Sequence, residues 1–192
     1  MKYDKSYLRT KSLLKRKKNY LKSKNFNFNF NFDLIFKLIK KSFSNKKISI
    51  AGYYPSNYEV DILNFLKDAS KSKFKVSLPS IKPSGKMSFK SWNYKEPLYV
   101  SAFGTLEPLY KNKDTVPDLV LVPLVAFDNQ LNRIGYGKGY YDRILKKIRK
   151  VKKNTIFLGV AYSFQKCKKI PINKHDFRLD YIFTDRGIIS SN

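Results

Sequence analysis

The sequence is poor in the residues that form disulfides and metal clusters. Cys167 is its one cysteine, so no disulfide can form within the chain, which fits a reducing compartment. Its neighbours, Lys166 and Lys168, indicate neither a metal site nor a catalytic dyad. His175 is the one histidine and lies in a lysine-rich stretch, so we interpret it as a structural residue. The chemistry of this chain is therefore expected to depend on other residue types.

Long apolar runs are also missing. No stretch reaches the roughly 20 apolar residues that a helix needs to cross a bilayer. The first residues, Met1 to Lys5, are followed by no apolar segment of the kind found in secretory signals. We therefore expect no membrane partner and a cytoplasmic location.

Acidic residues are scarce compared with basic ones. The chain has 14 aspartates and glutamates against 40 lysines and arginines, which gives a formal net charge of +26. Such a charge attracts polyanions, so a basic nucleic-acid-binding protein stays open as an alternative. Seven of the basic residues are arginine, the lysines are spread along the whole chain, and Asn, Phe, Tyr and Ile are abundant as well. This pattern favours a genome-wide composition bias, and we expect no specific nucleic-acid partner.

The apolar residues suffice for one compact domain. They make up 42% of 192 residues, and no linker-like stretch divides the chain. Hydrophobic periodicity predicts helices and strands that alternate. The predicted helices are residues 3–21, 34–43, 59–70 and 140–150, and the predicted strands are residues 47–54, 74–78, 86–90, 118–122, 155–160 and 180–184. This order predicts an α/β fold, a three-layer α/β/α single domain over residues 1–192, with a mostly parallel central sheet and an N-terminal helical extension over residues 1–45.

Two local patterns refine this prediction. The strand at residues 118–122 is an uninterrupted apolar run, typical of the middle of a parallel sheet, whereas the strand at residues 74–78 is expected to stop at Pro79. Residues 25–32 alternate Asn and Phe, which is a strand-like pattern, but they run into the helical period of residues 34–43. We interpret them as a loop that leads into the second helix.

One stretch, residues 133–143, has the composition of an anion-binding loop. Gly135, Gly137 and Gly139 stand at alternate positions between a predicted strand and a predicted helix. Glycine lets the backbone approach a ligand closely, and N–H groups that lead into a helix N-terminus bind phosphate. The stretch therefore predicts a phosphate site.

The charged residues of this stretch extend the prediction to a nucleotide with Mg²⁺. Arg133 and Lys138 add two cations, and Asp142 adds a carboxylate in the following helix. Mg²⁺ is typically held by one or two carboxylates together with phosphate oxygens. The stretch lacks the Gly-Lys-Ser/Thr ending of a Walker A loop and the GxGxxG spacing of a dinucleotide-binding loop. Residue types alone therefore indicate a nucleotide site that is neither a Walker A loop nor a dinucleotide-binding loop.

This part of the chain resembles the signature of the 5-formyltetrahydrofolate cyclo-ligase family. The resemblance begins with Asp-Leu-Val-Leu-Val-Pro-Leu-Val-Ala-Phe-Asp at residues 118–128 and continues through Arg-Ile-Gly-Tyr-Gly-Lys-Gly-Tyr-Tyr-Asp-Arg at residues 133–143. Further similar elements follow in the family's order at residues 5–9, 53–60, 103–108, 174–176 and 180–184. Leu124 departs from the pattern, since the family usually has glycine there, and the Asn-Phe repeat has no counterpart.

The resemblance implies an ATP- and Mg²⁺-dependent enzyme that closes 5-formyltetrahydrofolate to 5,10-methenyltetrahydrofolate through a phosphorylated formyl intermediate, with release of ADP and phosphate. It implies that Arg133 and Lys138 are catalytic, because they would offset charge on the transferring phosphoryl group. The implied ATP-binding residues are Lys5, Arg9, Arg133, Ile134, Gly135, Tyr136, Gly137, Lys138, Gly139, Tyr140 and Tyr141. The implied folate-binding residues are Tyr54, Glu59, Phe103, Tyr136 and Tyr140, and the implied Mg²⁺ ligands are Asp142 and Asp176.

The implied partners are therefore ATP and 5-formyltetrahydrofolate, with a polyglutamate tail in natural folates. Glu59 suits the pterin, because a carboxylate can accept paired N–H groups from the ring edge, and the aromatic residues suit the walls of a small-molecule pocket. We expect a monomer. A non-catalytic nucleotide-binding paralogue stays open beside the nucleic-acid alternative.

Overall fold

An eight-stranded sheet forms the centre of the protein. The computed structural model describes residues 4–22, 29–44, 47–102 and 104–191. The strands in chain order are β1 (Ser49–Ala51), β2 (Lys75–Ile81), β3 (Met87–Ser91), β4 (Tyr99–Val100), β5 (Leu106–Glu107), β6 (Asp114–Thr115), β7 (Leu119–Pro123), β8 (Ala126–Phe127), β9 (Arg133–Ile134), β10 (Ile156–Val160), β11 (Tyr181–Thr184) and β12 (Gly187–Ser190). The main sheet has the order β12-β11-β10-β7-β1-β2-β3-β6, while β4–β5 and β8–β9 form two small antiparallel pairs.

The strands in the middle of the sheet are parallel. This holds for β2, β1, β7, β10 and β11, whereas β3, β6 and β12 are antiparallel to their neighbours. Parallel neighbours need crossover connections, and helices are the usual solution. The α-helices are α1 (Lys5–Lys22), α2 (Asp33–Phe43), α3 (Leu63–Lys71) and α4 (Tyr140–Val151), and α3 and α4 form two of these crossovers.

The central strand β7 shows how the three layers arise. It pairs with β1 on one side and β10 on the other, so the apolar run lies in the middle of the sheet, as predicted. Side chains alternate between the two faces of a strand. Leu119 and Leu121 belong to the core that contains α2 and α3, whereas Val120 and Val122 belong to the core that contains α4. The α/β/α architecture with a mostly parallel sheet is therefore confirmed.

The strands differ from the prediction at several places: β1 is shorter than residues 47–54, β2 is longer than predicted, and one strand was not predicted at the end of the sheet. β2 does not stop before Pro79 but continues to Ile81. Pro79 is tolerated because β1 ends at Ala51, opposite Ser77, so no further β1 residue pairs with β2 at the proline. One more strand, β12, follows the strand predicted at residues 180–184, because a tight turn at Asp185 and Arg186 leads back antiparallel to β11.

The two N-terminal helices pack at different places. Leu8 and Leu13 of α1 contact the small core beside β8 and β9, and Ile35 and Ile39 of α2 are buried in the same core as α3. Residues 29–32 of the Asn-Phe repeat precede α2 without strand pairing, as the loop interpretation predicts, while residues 23–28 lie outside the described residues. Phe30 packs edge-on against Phe183, at 5.5 Å between ring centroids. This end of the repeat therefore contributes to the core.

Leu124, the departure from the family pattern, is accommodated in the core. Its side chain is 1% exposed and faces Gly159 of β10, where a Cβ atom would lie 2.8 Å from a Leu124 methyl carbon. Its carbonyl oxygen accepts hydrogen bonds from Arg16 and Gln165. The larger side chain thus fills space beside a glycine of the neighbouring strand.

None of the helices in the described ranges is long and apolar enough to cross a membrane.

We predict that Gly159→Ala destabilises the fold by about 1–3 kcal/mol, since an added methyl group would overpack the core. Its Cβ would meet side-chain carbons of Ile182 and Leu179 at 2.7 Å. The measurement is urea unfolding followed by circular dichroism. Gly135→Ala is the matched control, because a Cβ at Gly135 meets no atom within 4 Å. Equal stability of the two variants would contradict the packing described for β10.

Candidate active site

A cavity of about 990 Å³ lies beyond the C-terminal ends of the parallel strands. Tyr53 and Tyr54 follow β1, Ile81 ends β2, and Pro123 ends β7, and all four line it. This edge is where open α/β sheets usually bind ligands. The rest of the wall comes from the N-terminal part of α1, the loop after β1, the β4–β5 hairpin, the glycine loop (residues 135–139) and residues 173–176.

The glycine loop joins β9 to α4 in a conformation that depends on glycine. Gly137 has φ +97°, and Gly139 has φ +66° and caps the N-terminus of α4. Positive φ is costly for residues with a Cβ atom. Arg9 of α1 closes over the loop: its Nε donates to the Gly135 carbonyl at 2.8 Å, and a Cβ on Gly137 would be 3.3 Å from its guanidinium carbon. A helix N-terminus and a cation thus face the cavity together, as anion sites require.

Two cation–carboxylate pairs lie beside this loop. Arg133 is 4% exposed at its side chain and contacts Asp142 at 3.0 Å (Nη2 to Oδ1), and its Nη1 donates to the Phe177 carbonyl. Lys5 donates to Oδ2 of Asp176. Burial raises the pKa of the Asp176 carboxyl, but hydrogen bonds from Lys5 and the backbone lower it further, so the pKa lies below its ordinary value. Asp176 is therefore a carboxylate at neutral pH.

The two carboxylates fit a Mg²⁺ ion that also binds phosphate. Asp142 uses Oδ1 for Arg133 and the Phe177 N–H, and Asp176 uses Oδ2 for Lys5. The other oxygen of each makes no hydrogen bond to a described residue and both residues line the cavity. The described residues contain no cluster of three or more His, Cys, Asp or Glu that could hold a metal by itself. A hard cation here would thus need ligand oxygens beside the two carboxylates.

A second part of the cavity wall contains the carboxylate of Glu59. Glu59 is 8% exposed, and its carboxylate accepts a hydrogen bond from the Ser56 N–H at 2.9 Å. Burial raises the pKa of the Glu59 carboxyl above its ordinary value, although Ser56, Arg16 and Tyr136 each lower it. Tyr54 and Tyr136 provide aromatic surface beside it. The site therefore has a cationic end at the glycine loop and an aromatic, acidic end at Glu59.

The residues singled out in the sequence come together here wherever the structure describes them. Phe103 lies outside the described residues, although its neighbours Ala102 and Thr105 line the cavity. Tyr141 has a buried hydroxyl, and burial raises its pKa. The predicted residues that line the cavity are Lys5, Arg9, Tyr54, Glu59, Arg133, Ile134, Gly135, Tyr136, Gly137, Lys138, Gly139, Tyr140, Tyr141, Asp142 and Asp176. His175, interpreted as structural, also lines it and is exposed.

Sequence reasoning missed two buried residues at this site. Glu107 lines the cavity, is 7% exposed, and accepts a hydrogen bond from the Ile81 N–H at 2.9 Å. Arg16 of α1 is 1% exposed and donates to the Tyr136 hydroxyl. Arg16 could have been found, since Lys5, Arg9 and Arg16 fall on one face of a helix. Nothing in the sequence indicates that Glu107 is buried.

The family of this chain is now decided. A model of the 5-formyltetrahydrofolate cyclo-ligase family matches residues 1–185. The chain belongs to this family. Membership makes the protein an enzyme of the ligase class, and it indicates 5-formyltetrahydrofolate cyclo-ligase activity.

Proteins similar to this cyclo-ligase match it over nearly its whole length. The 5-formyltetrahydrofolate cyclo-ligase of Mycoplasma genitalium is 32% identical over 182 residues, which cover 93% of this chain and 96% of that protein. The NMR structure of Aquifex aeolicus 5,10-methenyltetrahydrofolate synthetase has a TM-score of 0.72 at 29% identity and covers 97% of this chain and 92% of its own. The Mycoplasma pneumoniae 5,10-methenyltetrahydrofolate synthetase has a TM-score of 0.68 at 25% identity and covers 95% and 99%.

We predict that Gly137→Ala weakens ATP binding about tenfold, because alanine strains the positive φ and crowds Arg9. The dissociation constant is measured by isothermal titration calorimetry. Gly187→Ala is the matched control: Gly187 has φ +111° and open space around it, but begins β12 at the edge of the sheet. Both variants lose backbone freedom, and only Gly137→Ala should lose ATP affinity. Equal ATP affinities would contradict a role for the glycine loop in phosphate binding.

Proposed function

We propose that this protein couples ATP cleavage to the cyclisation of 5-formyltetrahydrofolate, giving 5,10-methenyltetrahydrofolate, ADP and phosphate. The observation that carries the proposal is that the glycine loop with its cations and the buried Glu59 line one cavity. A nucleotide site alone would need only the cationic end at the glycine loop. A folate site alone would need only the aromatic, acidic end at Glu59. Their presence in one cavity supports a reaction between the two ligands.

The cationic end would bind the triphosphate. Backbone N–H groups of the glycine loop and the N-terminus of α4 would contact phosphate oxygens. Lys5 and Arg9 come from one face of α1, and Lys138 is exposed at the tip of the loop. Arg133, held by the Phe177 carbonyl and Asp142, is fixed in orientation before any ligand arrives. Preorganised cations of this kind stabilise charge that develops during phosphoryl transfer.

The acidic end would bind the pterin. Glu59 would accept paired N–H groups of the pterin edge, which is a charge-assisted arrangement. Tyr54, Tyr136 and Tyr140 would provide flat walls for the pterin and aminobenzoate rings, and Phe103 is proposed for the same purpose. These contacts would place the N5 formyl group towards the phosphates.

The chemistry then follows from two displacements. The formyl oxygen attacks the γ-phosphorus of ATP, the bond from that phosphorus to ADP breaks, and the formyl carbon becomes an iminium phosphate. The N10 nitrogen attacks this carbon, N10 loses its proton, and phosphate departs with the former formyl oxygen. Arg133 and Lys138 are proposed to offset the charge of the transferred group, because phosphoryl transfer depends on positioning and charge neutralisation.

Asp142 and Asp176 are proposed to hold Mg²⁺, which would supply charge neutralisation at the phosphates. The ion pairs use Oδ1 of Asp142 and Oδ2 of Asp176, so the other oxygen of each carboxylate would be the metal ligand. Meanwhile Lys5 and Arg133 hold the two carboxylates in place from α1 and β9. The two residues come from separate elements, α4 and the loop at residues 173–176, and the N–H of Phe177, which follows Asp176, donates to Asp142.

We expect the purified protein to convert 5-formyltetrahydrofolate only when ATP and Mg²⁺ are present. The readout is the near-ultraviolet absorbance of methenyltetrahydrofolate, and omission of ATP or addition of EDTA should abolish the rise. Asp142→Asn should lower the rate at least about 100-fold, because it removes a metal ligand and the partner of Arg133. Asp68→Asn, an exposed aspartate on α3, should leave the rate unchanged.

The alternative functions give different results in the same assay. A flat trace from folded protein that binds ATP would identify a non-catalytic paralogue. A flat trace without ATP binding would contradict the site itself, and salt-sensitive binding of RNA would then be the next measurement.

We further expect Glu59→Gln to raise KM for 5-formyltetrahydrofolate about tenfold or more and to change KM for ATP little. An amide keeps the size of the side chain but cannot accept two N–H groups as an anion does. Steady-state kinetics with each substrate varied in turn measures both constants. A parallel rise in both would mean that Glu59 supports the whole cavity instead of the pterin end.

A further inference from the structure

Arg16 is a buried cation without a carboxylate partner. Its side chain is among the largest fully buried ones, at 1% exposure, and it forms no ion pair with any described residue. Its Nε makes no hydrogen bond to a described residue either. Burying a charge in this way is costly, so a role in packing alone does not explain it.

The hydrogen bonds of Arg16 run towards the glycine loop. Nη1 donates to the Leu124 carbonyl at 3.2 Å, and Nη2 donates to the Tyr136 hydroxyl. The guanidinium also lies 5.7 Å from the centre of the Tyr136 ring, a cation–π contact. These bonds fix Tyr136 from behind and leave its hydroxyl proton for another acceptor.

Glu59 lines the same cavity as Tyr136 and is a carboxylate of the kind that can take this proton. The Tyr136 hydroxyl interacts with the Glu59 carboxylate, so the order of groups is guanidinium, phenol and carboxylate. Tyr53 and Tyr141 also interact electrostatically with Glu59, but burial raises the pKa of both phenols and keeps them neutral. Among the groups that act on Glu59 in the described residues, Arg16 is therefore the cation.

We propose that Arg16 is a positioning residue for folate, which acts through Tyr136 to hold Glu59 in place as an anion. The proposal rests on the proposed role of Glu59 in pterin binding and adds a residue that does not line the cavity. It also assigns the phenol of Tyr136 a second role, since the same residue belongs to the phosphate loop. The Arg16–Tyr136 hydrogen bond and the interaction of Tyr136 with Glu59 would thereby join the two substrate ends of the site.

The expected pH dependence follows from the direction of each effect. Burial raises the pKa of Glu59, while the Arg16 charge and the Tyr136 hydrogen bond lower it. Removing Arg16 would leave burial less opposed, so the carboxyl would become protonated at higher pH. A protonated Glu59 has lost one acceptor and cannot bind paired N–H groups. The acid limb of folate binding would therefore move upward in pH.

The test compares Arg16→Met with the wild-type enzyme between about pH 5 and 9. The acid limb of kcat/KM for 5-formyltetrahydrofolate should rise by about one pH unit, which is a loss of about tenfold on that limb. The value of kcat/KM for ATP at saturating folate should change less than about twofold. The reason is that Arg16 contacts none of the cations proposed to bind the triphosphate. Lys17→Met is the matched control: it removes one exposed charge from the same helix and should leave both profiles unchanged.

Two more variants keep the test decisive if Arg16→Met does not fold. Tyr136→Phe keeps the ring and Arg16 but removes the hydroxyl, and it should shift the folate profile in the same direction. Arg16→Lys keeps the charge without the two-pronged geometry, and its acid limb should lie closer to that of the wild type. An acid limb that stays in place in Arg16→Met, or in Tyr136→Phe when the first variant is unfolded, would overturn the proposal. Absence of cyclisation by the wild-type enzyme would instead overturn the proposed function, so the two failures are distinguishable.

Discussion

The seating of α1 on the glycine loop is the contact on which the site depends. The hydrogen bond from Arg9 Nε to the Gly135 carbonyl joins residues that are 126 positions apart, and Lys5–Asp176 joins residues 171 apart. Without α1, the loop would keep its N–H groups and its own Lys138 but lose the two cations of the helix, Lys5 and Arg9. The sheet supplies the edge at which the cavity forms, but the helix outside the sheet closes it. The absence of a side chain at Gly137 allows this close approach, because a Cβ atom there would crowd the Arg9 guanidinium.

Prediction from sequence succeeded where the pattern is local. The apolar run at β7 and the amphipathic α4 have a periodicity that packing then uses directly. It failed where a neighbour decides the outcome. The strand β2 can continue through Pro79 because β1 ends opposite Ser77. The strand β12 forms because β11 has a free edge with which it pairs in antiparallel orientation. Neither condition is visible in the residues of the strand itself.

The same distinction applies to the site. The glycine loop and its charged residues could be predicted because their types and spacing carry the chemistry. Most of the remaining residues came from the family resemblance, and the structure places the described ones around one cavity. Arg16 and Glu107 were missed because their importance lies in burial and in partners far along the chain. Helical spacing places Arg16 on the same face as Lys5 and Arg9, but only the structure shows that its side chain is buried.

The net charge of +26 has little to do with the cavity. Among the described residues, the cavity is lined by five cations, Lys5, Arg9, Arg133, Lys138 and Arg143, and by four carboxylates, Glu59, Glu107, Asp142 and Asp176. Two of these carboxylates are paired directly with cations, so the local charge is nearly balanced. The excess of lysine therefore lies outside the cavity, where it can vary with overall composition. Selection on the chemistry would act on placement, since a partly buried pair such as Arg133–Asp142 depends on one geometry and a surface lysine does not.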